Sequence, residues 1–261
     1  RMRGNDFRLR FCWRLILLFI LGNINAAFFT AEVLVLYSLV GFILPLTCRL
    51  KDKWLFILAC VLLIQPLPLY YVICACIDPS FVTPSIPTGS YWGAAFQVQS
   101  HGTFLETLRV NLWEGQIASL AWAWDHAALF LFGLLIGRRG LFLKENLKFW
   151  NKVLCGALIA FFPLYGLGNM LPGFIVSKSI LTPLLLIITS LSKFAFMLIL
   201  VSGVIFAFYR TNLHDWLMKI TPYGKMSLTN YITQSIIGSL LFYNWGLALH
   251  SQLGITASFL V

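Results

Sequence analysis

The sequence predicts an all-α protein, a polytopic bundle of transmembrane helices, and three features of the chain indicate this fold class. Its 261 residues are 59% hydrophobic and only 11% charged, whereas soluble domains are about 45–50% apolar and about 25% charged. The apolar residues form runs of roughly the 20 residues that one bilayer crossing needs. Short cationic clusters separate these runs, as the positive-inside rule expects of cytoplasmic loops.

The apolar runs predict seven to eight membrane spans, of which the second is short and tilted or irregular. The spans lie near residues 11–29, 33–48, 54–77, 117–137, 149–170, 180–209 and 227–249, with the eighth beginning near Ile255. The segments between alternate pairs of spans hold nearly all of the lysine and arginine residues. If every such segment is cytoplasmic, the spans alternate in direction without a conflict.

The net charge and the cysteines exclude several classes of function. The formal charge is +10, but the cations do not form a stripe with interleaved aromatic residues, so we expect the lipid bilayer as a partner and no nucleic acid. The six cysteines lie inside or at the ends of apolar runs without a paired CxxC spacing. We therefore expect packing or lipid-facing roles for them and no metal site. The sequence also lacks a Walker lysine loop, an HExxH motif and a GxSxG motif.

We expect residues 1–261 to form one transmembrane domain with a long external loop at residues 78–116. The first part of this loop is rich in Pro, Ser, Thr and Gly, which favours turns. Its second part has apolar residues at helical spacing, which predicts a helix on the outer membrane surface with Trp113 at the interface. The loop is either a lid or spacer, or it contacts a substrate. Because the chain opens on Arg1 within a cationic cluster and stops in an apolar run, we expect both ends to be truncated.

Polar side chains at membrane depth are the candidate functional residues, because burying such a group without a partner is costly. Lys193 lies about a dozen residues from either end of its span, so we expect it to face the bundle interior or a wet cavity. Asp125 is its predicted counter-ion. The neighbouring His126 either carries protons near neutral pH or forms a packing hydrogen bond. Glu32 lies at the external mouth between two spans, where it marks the interface or projects into a polar cavity shared with Asn25.

Two further sets of residues lie at the predicted cytoplasmic side. Gly133 and Gly137 form a pair that lets helices approach closely. Arg138 and Arg139 follow them, and arginine is well suited to phosphate recognition, although the topology alone also explains two cations at this position.

The last span opens with an unusual number of polar residues. Ser227 is the predicted N-cap of its helix. One face of this helix, by its spacing, contains Ser227, Asn230, Tyr231, Gln234 and Gly238. That face provides interhelical hydrogen bonds, or it forms the polar wall of a substrate pathway entered from the cytoplasm.

Several segments resemble the YeiB-like family of bacterial integral membrane proteins. "PYGKMSLTNYITQSIIGSLLFYNWGLAL" resembles the C-terminal signature of that family, a Gly-Arg-Met-Ser-Leu-Thr-Asn-Tyr run followed by Gln-Ser and an aromatic-Tyr-Gly-Leu segment. Further similarity lies in "WRLILLFILGNINAAFFTAEVLVLYSLVG", "FLFGLLIGRRG" and "RTNLHDWLMKITPYGK". The family commonly has Gly-x-x-His followed by Gly-Asp-Ile-Leu where this chain has Gly22, Asn25, Ala31, Glu32, Val33 and Leu34. Glu32 keeps the carboxylate, but Asn25 replaces the histidine and does not accept a proton near pH 7.

The resemblance implies a location in the cell inner membrane and one or two helices before Arg1. The function of the family is largely unknown, and its distant relatives are membrane acyltransferases, which move acyl groups from a cytoplasmic donor to carbohydrate on the far side. An acyltransferase-like enzyme is therefore one hypothesis, with acyl-CoA as donor and an envelope carbohydrate or lipid as acceptor. Asp125, His126 or Glu32 is then the base, and Arg138 or Arg139 contacts phosphate.

The second hypothesis is a transporter or export partner with a polar route through the membrane. Lys193, Asp125 and the face from Ser227 to Gln234 then line this route. Under either hypothesis the candidate substrate-binding residues are Lys193, Asn25, Arg138, Arg139, Ser227, Asn230, Tyr231 and Gln234.

Overall fold

A computed structural model describes residues 7–30, 32–78, 80–84, 88–211 and 213–253 of the chain. Across these ranges the regular secondary structure is helical and no strand occurs, which confirms the predicted all-α class. The chain divides into two compact units. The first comprises residues 1–48, 86–123 and 222–261, and the second comprises residues 49–85 and 124–221.

Fewer helices are long enough to cross a membrane than the sequence predicts. Within the described ranges, four helical segments have the necessary length and apolar character: Arg8–Ala26, Phe104–Arg138, Lys144–Phe174 and Lys178–Arg210. The helices Asp52–Leu63 and Pro66–Ile77 add a fifth span if this pair, bent by 53°, is counted as one. The prediction of seven to eight spans is therefore wrong for the described chain, although several apolar helices of spanning length are present.

The predicted span at residues 33–48 is too short because the chain breaks within it. The residues fold as two helices, α2 (Leu34–Gly41) and α3 (Ile43–Thr47), which meet at Phe42. Pro45 lies in this region and has no N–H with which to continue a regular helical ladder. The interruption leaves an apolar segment of only 14 residues, Leu34–Thr47.

The predicted span at residues 227–249 is also shorter than expected. Its helix, α13, covers Ser227–Phe242, and the chain then folds back on the helix end. The backbone N–H of Leu247 donates to the carbonyl oxygen of Leu240 at 2.8 Å, which closes this turn. The eighth span predicted near Ile255 lies outside the described residues.

The first unit is built around the first helix, α1 (Phe7–Ala26), which packs against α2. Gly22 makes this approach possible, since a Cβ atom there would lie only 2.8 Å from the backbone nitrogen of Val35. A second group of buried apolar side chains joins the helix α6 (Thr88–His101) to the segment that follows it. This group consists of Tyr91, Ala95, Val110 and Ala118.

The segment from Phe104 to Arg138 is one continuous helical run with changing pitch. It consists of α7 (Phe104–Arg109), a π-helical turn (Val110–Gly115), α8 (Gln116–Ser119), a 3-10 turn (Leu120–Trp122) and α9 (Ala123–Arg138). Thr103 and Glu106 form a capping box that fixes the start of α7. The residues predicted as a surface helix therefore continue into the next span. Their position outside the membrane stays a prediction.

The second unit is dominated by a helical hairpin. The helices α10 (Leu147–Phe174) and α11 (Lys178–Arg210) pack along each other and are joined by a short link, so they run antiparallel. The helix α5 (Pro66–Ile77) packs against α11 and follows α4 (Asp52–Leu63) across the bend. The helix α12 (His214–Lys225) has no buried residue.

The bend between α4 and α5 has a clear local cause. Gln65 has a φ of 57°, in the left-handed region that few residues other than glycine adopt readily. Pro66 follows it at the start of α5, where a missing N–H is tolerated because first-turn N–H groups have no helical partner. The sequence Gln-Pro thus ends one helix and begins the next.

The close approach of α1 and α2 can be tested with two glycine substitutions. We expect Gly22→Ala to lower the free energy of unfolding by about 1–3 kcal/mol, because the new methyl group overlaps the Val35 backbone. The matched control is Gly133→Ala, where no described atom beyond the chain neighbours and the backbone of the same helix lies within 4 Å of the added Cβ. This control should be neutral or slightly stabilising, since alanine is the better helix former. Thermal unfolding in detergent measures both effects, and equal behaviour of the two variants would contradict the described packing.

Candidate functional site

The best-formed polar site in the first unit surrounds Glu32, and we call Asn25, Glu32, Tyr231 and Ser235 the Glu32 cluster. Asn25 lies in the last turn of α1, and its Nδ2 atom donates hydrogen bonds to the Glu32 carboxylate and, at 3.3 Å, to Ser235 Oγ. The other Glu32 carboxylate oxygen accepts the backbone N–H of Leu34. Two predicted site residues, Asn25 and Glu32, are thus brought together with a residue of α13.

Burial determines the electrostatics of this cluster. Glu32 is 9% exposed and Asn25 is completely buried. Removal of the carboxyl from water raises the pKa of Glu32, while the hydrogen bonds from Asn25 and Leu34 act in the opposite direction. The net result is a carboxyl that holds its proton to a higher pH than an exposed glutamate does.

Two polar atoms beside Glu32 have unused hydrogen-bonding capacity. The Oδ1 atom of Asn25 is buried without a hydrogen-bond partner among the residues that the structure describes. The Tyr231 hydroxyl lies within hydrogen-bonding reach of the Glu32 carboxylate and acts to lower the pKa of that group. It is also buried, and it forms no well-directed hydrogen bond within the described ranges. Buried polar atoms are normally hydrogen-bonded, so these two atoms are the candidates for contact with a polar ligand.

Hydrogen bonds from two tyrosines hold the backbone that carries Glu32. The Tyr91 hydroxyl donates to the carbonyl oxygen of Thr30. The Tyr243 hydroxyl contacts the Thr30 side chain at 3.1 Å and accepts the Thr30 backbone N–H at 3.2 Å. Gln99 in turn donates to the Tyr243 hydroxyl at 3.1 Å. The segment that positions Glu32 is therefore held by helix α6 and by the end of α13.

Sequence reasoning selected only part of the face of α13 that reaches this cluster. Ser227 and Gln234 are exposed, while Asn230 and Tyr231 are half-buried. The N-cap is Met226, so the prediction that Ser227 caps the helix is wrong. The missed residues are Ser235, Ser239 and Tyr243, which follow Tyr231 at intervals of four and are all buried. This spacing was a readable signal, because residues four apart share one face of a helix.

A second polar site lies in the second unit and joins three helices. Asp125 on α9 accepts hydrogen bonds from Gln65 Nε2, at 2.9 Å and 3.0 Å to its two carboxylate oxygens. It also accepts the Ser190 hydroxyl of α11 at 2.7 Å. Gln65 and Ser190 contact each other as well. The structure thus gives Asp125 two neutral donors, neither of which sequence reasoning had selected.

Lys193 and His126 lie in the same unit as Asp125. Lys193 is exposed and lines a cavity between α10 and α11. His126 is half-buried on α9, next to Asp125 in the chain. The predicted pairing of Lys193 with Asp125 stays a prediction, as does the shared chamber for the polar residues of both units.

The two arginines at the end of α9 contact an acidic residue at the start of α4. Arg138 donates to the carbonyl oxygen of Leu50 at 2.9 Å and lies 3.5 Å from the Asp52 carboxylate. Arg139 contacts the other Asp52 oxygen at 3.1 Å and keeps 55% of its side chain exposed. Asp52 also stabilises the first turn of α4, where a negative charge is favourable. Phosphate binding by these arginines stays a prediction.

Among the described residues, no three or more His, Cys, Asp or Glu side chains are placed so that they could share a metal ion.

The contribution of the Asp125 site to stability can be measured with two serines of α11. We expect Ser190→Ala to lower the free energy of unfolding by about 1–3 kcal/mol, because Asp125 loses a donor inside the protein. Ser202→Ala is the matched control, since the buried Ser202 hydroxyl has no hydrogen-bond partner in the described part of the chain. It should leave stability unchanged or raise it slightly. Chemical denaturation in detergent distinguishes these outcomes, and a loss no larger for Ser190 than for Ser202 would contradict the assigned bonds.

The raised pKa of Glu32 predicts a pH-dependent stability. Because burial favours the neutral carboxyl, this stabilising contribution is complete below the ordinary carboxyl pKa and is lost as the pH rises through the raised value. We expect the melting temperature of the unmodified protein to fall relative to that of Glu32→Gln as the pH rises from the ordinary carboxyl pKa through the raised value. Glu145→Gln, at an exposed position, should follow the unmodified protein at every pH. A constant difference between the Glu32→Gln variant and the unmodified protein would be incompatible with a raised pKa.

Comparison with known proteins gives a partial match to an uncharacterised family. Residues 136–261 match the profile of the family described as "Protein of unknown function (DUF418)". The chain is also 31% identical over 61 residues to "Uncharacterized protein YxaH" of Bacillus subtilis (strain 168). The aligned region is 23% of this chain and spans 15% of the length of that relative. No solved structure matches the chain.

Proposed function

We propose that this chain belongs to a bacterial inner-membrane enzyme that transfers an acyl group from a cytoplasmic donor to a hydroxyl group of an envelope carbohydrate or lipid. The observation that supports this function best is the Glu32 cluster. It combines a buried carboxyl with two polar atoms, Asn25 Oδ1 and the Tyr231 hydroxyl, that have capacity for a ligand. An acceptor hydroxyl is a ligand that such a group of atoms suits.

Glu32 is a better candidate for the base than Asp125 or His126. The Asp125 carboxylate already accepts hydrogen bonds from Gln65 and Ser190, so its oxygens are engaged within the protein. Glu32 is the more deeply buried carboxyl, and burial raises its pKa above that of an exposed glutamate, the direction in which enzymes shift a glutamate that acts as a base. Asn25 fixes the carboxylate through its Nδ2 atom but takes no proton itself.

The proposed reaction uses a thioester donor of the acyl-CoA class. Glu32 accepts the proton of the acceptor hydroxyl, and the oxygen attacks the carbonyl carbon of the thioester. The carbon–sulfur bond then breaks, an ester forms, and the leaving thiolate takes up the proton that Glu32 accepted, which restores the carboxylate. Asn25 Oδ1 and the Tyr231 hydroxyl orient a polyhydroxylated acceptor through its neighbouring hydroxyl groups, which contribute binding energy and alignment.

Donor binding is assigned to the arginine pair at the end of α9. Arg139 contacts Asp52 through Nε and remains half-exposed, so its other N–H groups are able to reach a phosphate. The inner-membrane location is supported by the cationic clusters between apolar runs. The resemblance to the YeiB-like family, and through it to membrane acyltransferases, supports the reaction class by analogy of fold.

Transport is the second candidate function, and one structural observation favours it. The bend between α4 and α5 places Gln65 and Asp125 at a discontinuous helix of the second unit. Broken helices with polar residues at the break are common at the substrate and ion sites of transporters. This function assigns Lys193 and Asp125 to the route of the substrate rather than to catalysis.

Acyl transfer can be tested with the full-length protein in lipid nanodiscs, using palmitoyl-CoA as donor and methyl glucoside as acceptor. We expect Glu32→Gln to lower the rate of ester formation about 100-fold or more while donor binding is unchanged, because a general base contributes about 10²–10⁴ to the rate. Glu145→Gln is the control for loss of an exposed carboxylate and should keep the full rate. Absence of both donor binding and acylated product in the unmodified protein would favour transport.

A further inference from the structure

The second unit contains a cavity that the proposed acyl transfer does not use. It lies between α10 and α11 and has a volume of about 350 Å³, at the small end of the range of ligand pockets. Both helices are among the segments long and apolar enough to cross a membrane. Only 6% of the most apolar window of the Lys144–Phe174 segment is buried within the chain. Most of this surface is therefore available to lipid.

A cation lies at the middle of this apolar setting. Lys193 lines the cavity and lies in the central part of the 33-residue helix α11. It is about 15 residues from Lys178 and about 17 residues from Arg210, which corresponds to roughly 22 Å and 25 Å along the helix. These distances are several times the length of a lysine side chain, so Lys193 places a positive charge at membrane depth on the wall of the cavity.

The lining of the cavity is divided into a polar and an apolar part. Asn169, Thr189 and Ser192 join Lys193 as polar lining residues. Phe161 and Phe196 provide an aromatic wall, with ring centroids 5.5 Å apart. A ligand that satisfies both parts has an anionic head, able to accept hydrogen bonds from the ammonium and hydroxyl groups, and an apolar chain.

We propose that this cavity binds an amphiphile with an anionic oxygen headgroup, a carboxylate or a phosphate, on an acyl chain. Lys193 neutralises the headgroup, the Thr189 and Ser192 hydroxyls donate hydrogen bonds to it, and the acyl chain lies along the aromatic wall. This binding site is separate in its residues from the Glu32 cluster. The proposal of amphiphile binding can therefore be tested independently of acyl transfer.

The test uses the full-length protein in nanodiscs of phosphatidylcholine and measures displacement of a fluorescent fatty acid. The competitors are oleate, lysophosphatidate and the neutral oleyl alcohol. We expect both anionic competitors, or one of them, to bind about tenfold or more tightly than oleyl alcohol, because only they pair with the cation. A preference for oleate identifies the headgroup as a carboxylate, and a preference for lysophosphatidate identifies it as a phosphate. Equal binding of all three competitors would overturn the proposal.

Substitutions at two lysines of α11 test whether the competitors bind in this cavity. Lys193→Met keeps the length of the side chain without its charge and should weaken anionic competitors about tenfold or more while oleyl alcohol is unaffected. Lys193→Arg should restore the binding of anionic competitors. Lys178→Met, at the end of the same helix, is the control and should change nothing. Unchanged oleate and lysophosphatidate affinities in Lys193→Met would refute the assignment.

A second variant keeps the proposal testable if a change at Lys193 prevents folding. A Cβ atom at Gly168 would lie 3.6 Å from Ile188 Cγ2, an ordinary contact distance, so Gly168→Leu fills the cavity without a backbone clash. We expect Gly168→Leu to lower the affinity for every competitor. Unchanged affinities in this variant would overturn the proposal. Glu32→Gln should bind oleate normally, so loss of acyl transfer and loss of amphiphile binding are distinguishable.

Discussion

The need to satisfy polar groups away from water governs this structure. An unpaired amide or carboxylate in an apolar environment is costly, so each such group must find a donor or acceptor within the protein. Glu32 does so through Asn25 and the Leu34 backbone. Asp125 does so through Gln65 and Ser190. In both units, the residues around a buried or partly buried carboxylate come from distant parts of the chain and are linked there by hydrogen bonds.

The two carboxylate sites differ in how completely they are satisfied, and this difference separates their roles. Asp125 accepts hydrogen bonds from two side chains, which link α9 to α11 and to the bend before α5. These bonds indicate a structural role for Asp125. The Glu32 cluster leaves Asn25 Oδ1 without a partner among the described residues, beside a carboxyl of raised pKa. A partly satisfied network in a buried site is a reasonable place for a ligand.

The sequence predicted the long helices well and the short ones poorly. α10 and α11 follow long apolar runs bounded by charged residues, so length and composition alone locate them. The helices near residues 33–48 and 227–249 are also apolar, but the break at Phe42 and the turn after Phe242 interrupt them. Average hydrophobicity does not register such local interruptions, and this explains the excess of predicted spans.

The part of the Glu32 cluster that lies close together in the chain was predictable from the sequence. Asn25 and Glu32 are seven positions apart, so their proximity follows from the exit of one helix, whereas Ser235 joins them from 210 positions away in the chain. Gln65 and Ser190 were also missed, because a glutamine or serine in an apolar run is common and only helix packing reveals its partner. Packing of distant segments depends on which helix surfaces meet in three dimensions, and spacing along one helix does not give that pairing.

The bend at Gln65 has a mechanical consequence. A continuous helix resists bending because its hydrogen bonds must stretch, but an interrupted one turns about a few backbone bonds at the break. The stiffness of the joint between α4 and α5 therefore resides in the side-chain bonds of Gln65 to Asp125 and Ser190. Neutralising the Asp125 carboxylate on α9 would weaken these hydrogen bonds. The angle between α4 and α5 would then vary more widely, so a local change of charge would alter the relative motion of two helices.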